Sequence, residues 1–165
     1  MKWIIFAVIG LAVIIAAIAV IGMILPKAHV ASRLERFRSP PAMLWDLIAG
    51  PPTWRPNIRT YDKLPERGGR PVWKETDKHG QSITFERVVS TPPRTMVNRI
   101  DPGLPFGGTW TYDLQPDQGG TLLTITEHGE VYNPFFRFVS RYILGHTATI
   151  DEYMQALRAK LGEGK

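Results

Sequence analysis

The sequence contains no cysteine. Disulfide bonds, thiolate metal sites and cysteine nucleophiles are therefore excluded. It also lacks any run of more than two consecutive Lys or Arg residues, although its net charge is +5. A dedicated nucleic-acid-binding patch is accordingly not expected, and the positive balance suits an anionic lipid surface better.

Common catalytic and metal-binding motifs are also missing. Neither a Ser-His-Asp arrangement nor a GxSxG nucleophile elbow is recognisable. The glycine-rich stretch LPFGGTW at residues 104–110 lacks the GxxxxGK(S/T) spacing of a phosphate loop and indicates a hairpin turn. The four histidines, at positions 29, 79, 128 and 146, show no HxH or HExxH spacing, so no metal site is expected. We do not expect a cofactor either.

What the chain does contain is a long apolar run at its start. Residues 3–25, WIIFAVIGLAVIIAAIAVIGMIL, are 23 positions without a charged side chain. As a helix they span about 35 Å, enough to cross a hydrocarbon core of about 30 Å. A secretory signal peptide is the alternative, since AHVA at residues 28–31 resembles a cleavage site, but its apolar region is only about 7–15 residues long. We predict a membrane helix at 3–25 and a separate domain at 27–165.

The charges that flank this run predict its orientation. Lys2 and the amino terminus precede it, whereas Lys27, Arg33, Arg36 and Arg38 follow it. Because positive charge favours the cytoplasmic side, we predict a single-pass protein of the cell membrane with a cytoplasmic domain. The counterargument is that the three arginines fall on a predicted strand of the folded domain.

The middle of the sequence has the period of a β-sheet. Residues 29–37 alternate as a strand, and Ser39-Pro40-Pro41 then begins a short helix, PAMLWDLIAG, followed by TWRPN as a tight connector or one helical turn. The further predicted strands are 58–63, 72–77, 82–89, 95–101, 108–115 and 121–131. Short turns rich in glycine and proline separate them, which indicates an antiparallel meander.

The end of the sequence predicts one long amphipathic helix. Asn133 is a suitable N-cap, and Pro134 fits the first helical position. At about 100° per residue, one stripe collects most of the apolar side chains. Its members are Phe135, Phe138, Val139, Tyr142, Ile143, His146, Ile150, Tyr153 and Leu157. Arg137 falls on the opposite, polar face, and Gly145 offers a point for a bend.

These stretches together resemble the START/polyketide-cyclase-like superfamily over roughly residues 29–161. The matching segments are SPPAMLWDLIAGPPTWRPN, DKHGQSITFERVVSTPPRTMV and GGTLLTITEHGEVYNPFFRFVSRYILGHTATIDEYMQAL. The resemblance implies an α+β helix-grip fold, with an antiparallel sheet around a long C-terminal helix and two short helices after the first strand. It also implies a cavity between sheet and helix. The superfamily includes lipid carriers, receptors and cyclases, so the fold alone does not decide the function.

The stretch TITEHGEVYNPFFRF raises the question of a shared site for Glu127, His128 and Glu130. Side chains alternate along a strand, so Glu127 shares the apolar face of Ile125 and points towards the cavity, whereas His128 points away. A bulge at Gly129 would switch the face of Glu130. The three side chains are therefore not one cluster on a regular strand.

Two residues are candidates for acid/base chemistry. Glu127 is either a buried general base with a raised pKa or a structural carboxylate bonded to Arg99 or to solvent. His146 is either a hydrogen-bonded core residue or a polar anchor in a mostly apolar pocket. Aromatic side chains on the same surfaces either fill the core or line the cavity. The predicted ligand-binding set is Trp73, Trp110, Tyr112, Glu127, Phe138, Tyr142, His146 and Tyr153.

Three functions are compatible with these features. The first is a membrane-tethered binding or carrier domain for an apolar small molecule, of lipid, isoprenoid, quinone or polyketide type. The second is a cyclase- or dehydratase-type enzyme that uses Glu127 or His146. The third is a membrane-anchored interaction module with a filled core, whose protein partner the sequence does not identify. The absence of a catalytic motif favours the first.

Overall fold

The structure, a computed structural model, describes residues 2–164, excluding the side chain of Leu144. The helices are α1 (Lys2–Ile24), α2 (Pro41–Ala49), α3 (Pro134–Val139) and α4 (Ala148–Leu161), with a π-helical turn at Ser140–Leu144 between α3 and α4. The strands are β1 (Ala28–Phe37), β2 (Ile58–Arg67), β3 (Arg70–Asp77), β4 (Ser82–Thr91), β5 (Thr95–Ile100), β6 (Phe106–Asp117) and β7 (Gly120–Val131). Each strand overlaps one predicted from the sequence, although LPFGGTW forms the start of β6 and the loop before it rather than a turn alone.

The strands form one antiparallel sheet in the order β1-β7-β6-β5-β4-β3-β2. Strands β2 to β7 follow one another as a meander because short turns join them, and β1 pairs with β7 to complete the sheet. The fully buried Ile150, Met154 and Leu157 of α4 pack in one core with residues of the sheet. This α+β helix-grip arrangement confirms the predicted fold class.

Strand β7 keeps a continuous register with both of its neighbours. Glu127 lies opposite Trp110 of β6 and Ala31 of β1, and the pairing continues without a shift through Gly129. The bulge considered at Gly129 is therefore absent. Glu127 points inward as predicted, and His128 is exposed on the outer face.

One end of the sheet is filled by a solid hydrophobic core. This packed end joins α2, the later turns of α4 and the ends of the strands furthest from α1. Its fully buried members include Phe37, Leu44, Met96, Leu114, Leu123, Ile125, Met154 and Leu157. Alternation along β6 and β7 places Leu114, Leu123 and Ile125 on one face of the sheet, so this part of the core follows directly from the strand pattern.

The segment between α2 and β2 differs from the expected second short helix. Residues 51–57 form turns instead, with hydrogen bonds from the Arg55 amide to the Pro52 carbonyl and from the Ile58 amide to the Arg55 carbonyl. Prolines in this segment remove backbone donors, which explains why a helix does not form. Ser39 does not cap α2 either, because its amide and hydroxyl both donate to the Glu163 carboxylate.

The predicted long C-terminal helix is broken into three pieces. Asn133 caps α3 through its side-chain oxygen, as expected. The π-helical turn then ends at Gly145, which has a φ of 75° that favours glycine, and α4 starts afterwards. The break changes the helical phase, so the stripe projected for one helix does not persist. Tyr142 is consequently 61% exposed instead of facing the sheet.

The apolar helix α1 is long and apolar enough to cross a membrane, and its last turns contact α3. Gly22 is buried against the Pro134 backbone, where a Cβ atom would collide with the Pro134 carbonyl.

Arg137, expected on the polar face of the C-terminal helix, is instead only 8% exposed. Its guanidinium donates to the carbonyls of Gly22 (3.1 Å), Leu25 (3.4 Å), Val131 (2.7 Å) and Tyr132 (2.7 Å). This arginine therefore caps the C-terminal end of α1, where a positive charge also complements the helix dipole.

Candidate ligand-binding cavity

A cavity of about 750 Å³ lies between the sheet and the helical segments at the end of the sheet nearest α1. Its walls are the inner faces of β3 to β7, together with α3, the π-helical turn and the start of α4, and they are mainly apolar. Sites for small molecules commonly measure about 300–1,000 Å³ and combine apolar walls with a few polar groups. The cavity therefore has the size and character of a ligand site.

The structure brings most of the predicted ligand-binding residues into this wall. Trp73, Trp110, Tyr112, Glu127, His146 and Tyr153 all line the cavity. Phe138 and Tyr142 do not line it, and this corrects their placement. They pack against each other instead, with ring centroids 5.0 Å apart, since the stripe projected for one continuous helix does not persist across the break at Gly145. Phe136 and Val139 take their places in the wall.

A polar cluster built around two histidines lies near the end of α1. The rings of His29 on β1 and His146, just before α4, stack with their centroids 4.1 Å apart. His29 Nε2 lies 3.9 Å from Glu127 Oε1, too long for a hydrogen bond. The Ser140 hydroxyl lies 3.1 Å from His146 Nδ1 on the other side. We call Glu127, His29, His146 and Ser140 the histidine cluster.

The environment of the histidine cluster favours neutral side chains. Burial raises the pKa of Glu127, and a hydrogen bond from the Trp110 indole offsets only part of this effect. Burial and the neighbouring His146 lower the pKa of His29, while burial and the positive charge of Arg141 lower the pKa of His146. Both pKa shifts oppose charge, so burial disfavours an ion pair between Glu127 and His29.

A second polar group lies deeper in the cavity. The Glu75 carboxylate accepts hydrogen bonds from Arg55 Nη1 (2.8 Å) and from the Trp73 indole (2.9 Å), so both of its oxygens are bonded.

Two buried phenols also line the cavity. Burial raises the pKa of Tyr112 to about 12 and that of Tyr153 well above its ordinary value. Both phenols therefore remain protonated and can donate or accept hydrogen bonds towards a ligand. They also separate the cavity from the packed end.

Sequence reasoning missed several residues of this site. Glu75 shares the strand face of Trp73, so strand parity could have found it. His29 faces Glu127 only because β1 returns beside β7, which is a long-range pairing that local patterns do not specify. The expected partner of Glu127 was also wrong, because Arg99 instead donates to Glu86 at 2.7 Å. Within residues 2–164, no group of three or more His, Asp or Glu side chains is placed to hold a metal ion.

Comparison of the sequence with known families identifies its class. Residues 32–162 match the family described as polyketide cyclase/dehydrase and lipid transport. The chain belongs to this family. No curated protein sequence matches it.

Solved structures of other proteins show the same fold. Truncated norcoclaurine synthase from Thalictrum flavum superimposes with a TM-score of 0.64 at 13% identity, covering 84% of this chain and 96% of that one. Protein MLL2253 from Mesorhizobium loti gives 0.62 at 18% identity, with coverage of 83% and 99%. Major latex-like protein 151 from Panax ginseng gives 0.61 at 14% identity, with coverage of 83% and 97%. At such low identity these likenesses concern the fold alone.

Membership of the polyketide cyclase/dehydrase and lipid transport family supports two general functions for this domain. It is a ligand-binding or cyclase-type domain, and its family is associated with apolar small molecules. The mainly apolar cavity fits both functions, while the histidine cluster and the buried phenols are the groups that would orient a ligand.

Proposed function

We propose that this protein is a membrane-tethered binding or carrier domain for an apolar small molecule of lipid, isoprenoid, quinone or polyketide type. The cavity is the observation that carries the proposal. Its volume of about 750 Å³ accommodates a molecule of many carbon atoms, and its wall is mainly apolar. Burial of such a molecule is favourable by about 25 cal/mol for each Å² of apolar surface removed from water.

We propose that α1 supplies the tether and that residues 27–165 form the binding domain. Lys27, Arg33, Arg36 and Arg38 follow α1, whereas only Lys2 and the amino terminus precede it. The positive-inside rule counts Lys and Arg and gives little weight to acidic partners, so this excess of positive charge favours a cytoplasmic domain in the cell membrane. An active C-terminal alkaline phosphatase fusion, with an inactive cytosolic reporter at the same point, would contradict this orientation.

The cavity itself can be tested by filling it. Ala156 lines the cavity, whereas Ala159 is exposed on the same helix. Ala156→Phe should occupy the space of the ligand, and Ala159→Phe is the matched control. We would titrate residues 27–165 with N-phenyl-1-naphthylamine, an apolar dye that fluoresces strongly out of water. Without the apolar helix, no detergent is present to absorb the dye.

We expect saturable dye binding by the wild-type domain and by Ala159→Phe, but not by Ala156→Phe. Equal binding by all three would place the dye elsewhere and contradict the proposed site. The absence of binding to any of the three folded proteins would favour the interaction module with a filled core.

The histidine cluster favours an enzyme as the second candidate function. Burial raises the pKa of Glu127, which makes its carboxyl a proton donor or acceptor within an apolar cavity. His29 lies beside it and is stacked on His146. A cyclisation or dehydration needs a proton moved to or from a bound ligand, and these groups are placed to do so.

A substitution at Glu127 tests this second function. With an extracted or synthetic ligand, Glu127→Gln should lower turnover by about 100-fold or more while binding persists. Unchanged turnover would exclude Glu127 as the acid/base group.

A further inference from the structure

An exposed apolar surface lies beside the end of α1. It consists of Tyr132, Phe135, Phe136, Tyr142 and Ile143, which we call the α3–π surface. Their exposure is high for such side chains, for example 51% for Phe136 and 68% for Ile143. Soluble proteins rarely leave a concentration of large apolar side chains without a partner. This surface therefore needs an occupant.

The packing of α1 shows where the α3–π surface lies along that helix. Ile18, Ala19, Gly22 and Leu25 are at least half-buried, whereas their neighbours in α1 are exposed. Their spacing places them on one face of the helix, and α3 is the element that contacts α1. Residue 18 lies roughly 10 Å before residue 25, at about 1.5 Å per residue. Helix α3 therefore lies alongside the last two turns of the apolar helix rather than beyond its end.

Arg137 holds α3 at this position. Its guanidinium joins the carbonyls of Gly22 and Leu25 to those of Val131 and Tyr132. Gly22 leaves no space for a side chain against Pro134, so the two backbones are in direct contact. The α3–π surface consequently cannot lie far from the bilayer if α1 spans it.

The cavity wall reaches the protein surface at the same place, as it also does at exposed lining residues such as Gln81 and Glu152. Phe136 belongs both to the α3–π surface and to the cavity wall, and the exposed Pro105 and Glu130 also line the cavity near it. Tyr132 connects these elements, because its amide donates to the Pro105 carbonyl and its hydroxyl to Glu130. One side of the cavity opening is thus formed by residues next to the membrane helix.

We infer that the α3–π surface inserts into the interface of the bilayer that α1 spans, so that an apolar ligand passes between lipid and cavity beside Phe136. This inference rests on the proposed membrane tether and adds the route by which the ligand enters. The surface has a suitable composition, since tyrosine and phenylalanine are favoured at membrane interfaces and the exposed Arg141 can contact lipid phosphates. Continuity with α1 selects the bilayer over a soluble partner, because α3 and α1 lie side by side.

The cysteine-free sequence allows a direct test with the full chain. Three variants, Ile143→Cys, Val13→Cys and Val89→Cys, would each carry the fluorophore NBD on the new side chain and be reconstituted in phosphatidylcholine vesicles. Val13 lies within α1, while Val89 is exposed on β4 at the end of the sheet away from α1. Quenching would be measured with nitroxides on an upper acyl carbon and near the end of the acyl chain.

We expect the upper nitroxide to quench NBD at Ile143, the deeper nitroxide to quench it at Val13, and neither to quench it at Val89. Quenching at Val13 without quenching at either Ile143 or Val89 would overturn the inference, although it would still support the membrane tether. A label at Ile143 that is shielded from water but not quenched by lipid would also overturn it, in favour of a protein contact. Absence of quenching at all three positions would overturn the tether and the inference together.

Discussion

The two ends of the sheet differ, although the same strands build both. At the packed end, Leu114 and Leu123 face each other across β6 and β7 and are almost fully buried. Only four residues away along each strand, the paired Trp110 and Glu127 line the cavity instead. Helix α4 covers the packed end without interruption, whereas the helical chain over the cavity is broken at Gly145. The contrast indicates that the cavity results from the broken helix as much as from the sheet.

The two ends also differ in how they treat polar groups. The packed end contains mostly aliphatic side chains, while the cavity wall contains Glu75, Glu127 and several aromatic side chains that carry polar atoms. Among the described residues, no buried side-chain nitrogen or oxygen lacks a hydrogen-bond partner. The Glu75 carboxylate of the cavity wall, for example, accepts hydrogen bonds from Arg55 and Trp73, so a ligand does not have to satisfy it.

The largest expected effect is the loss of stability when a side chain of the packed end is shortened, compared with one of the cavity wall. Leu123→Ala should lower the free energy of unfolding by about 2–5 kcal/mol, because it leaves a hole among fully buried side chains. Trp110→Ala removes more atoms but should cost less, because Trp110 already borders empty space. Urea unfolding of residues 27–165, followed by circular dichroism, would measure both. If Trp110→Ala costs more than Leu123→Ala and dye affinity is unchanged, the cavity is not the binding site.

A smaller effect is expected when α1 is removed. Residues 27–165 should remain a soluble domain that unfolds cooperatively, because Gly22 is the buried residue of α1. Arg137 would lose the carbonyls of Gly22 and Leu25, but water would replace them, so the loss should be about 0.5–1.5 kcal/mol for each bond. The hydrogen bonds from Arg137 to the carbonyls of Val131 and Tyr132 would remain. Size-exclusion chromatography and a thermal melt would check this, and aggregation or a non-cooperative melt would refute the domain boundary.

The buried carboxyl should make stability depend on pH. Burial raises the pKa of Glu127 above its ordinary 4.5, so the folded state binds this proton more tightly than the unfolded state. Stability from this group is present below pH 4.5 and is lost as the pH rises through the folded-state pKa. The loss is about 1.4 kcal/mol for each pH unit that separates the folded-state pKa from the unfolded-state pKa. Glu127→Gln should therefore be more stable than wild type at neutral pH. Below pH 4.5 this advantage over wild type should disappear.

The control for this pH dependence is Glu66→Gln, which alters an exposed carboxylate on β2 and should follow the wild-type curve. The lowered pKa values of His29 and His146 act in the other direction, because stability falls as the pH drops below their ordinary 6.5. The contribution of His29 and His146 is present in wild type, Glu127→Gln and Glu66→Gln alike, so it cancels when their stabilities are compared. A difference between Glu127→Gln and wild type that does not change with pH would contradict the raised pKa of the buried carboxyl.

The smallest expected effect compares two substitutions on α4. Ala156→Phe and Ala159→Phe both replace a strong helix former by a weaker one, at a cost below about 1 kcal/mol. Because Ala156 faces the cavity, its new ring should find space, and the two variants should unfold at nearly the same urea concentration. A loss of about 1–3 kcal/mol for Ala156→Phe alone would indicate overpacking and hence a filled interior.

Much of the fold was predictable because it depends on local patterns. Alternation located every strand and placed Glu127 inside and His128 outside, and the apolar run marked α1. The C-terminal helix was predicted less well, since a period of 3.6 residues projects a straight helix and cannot show a π-helical turn. This explains why Phe138 and Tyr142 lie outside the cavity wall.

The histidine cluster was not predictable as a unit. His29 and Glu127 are far apart in the sequence and meet only through the pairing of β1 with β7. Arg137 was placed on the polar face because a charged residue usually remains in water, yet four backbone carbonyls bind it in the interior. Such long-range partners appear only when the elements are assembled.

Native mass spectrometry of the full chain released from detergent tests the central claim most directly, because it asks whether the cavity holds an apolar molecule. We predict one bound small molecule on the wild-type protein and on Ala159→Phe, and none on Ala156→Phe. Its mass, with fragmentation after release, would identify the ligand class. A bare wild-type chain, or the same bound mass on Ala156→Phe as on Ala159→Phe, would contradict the assignment of the cavity as the ligand site.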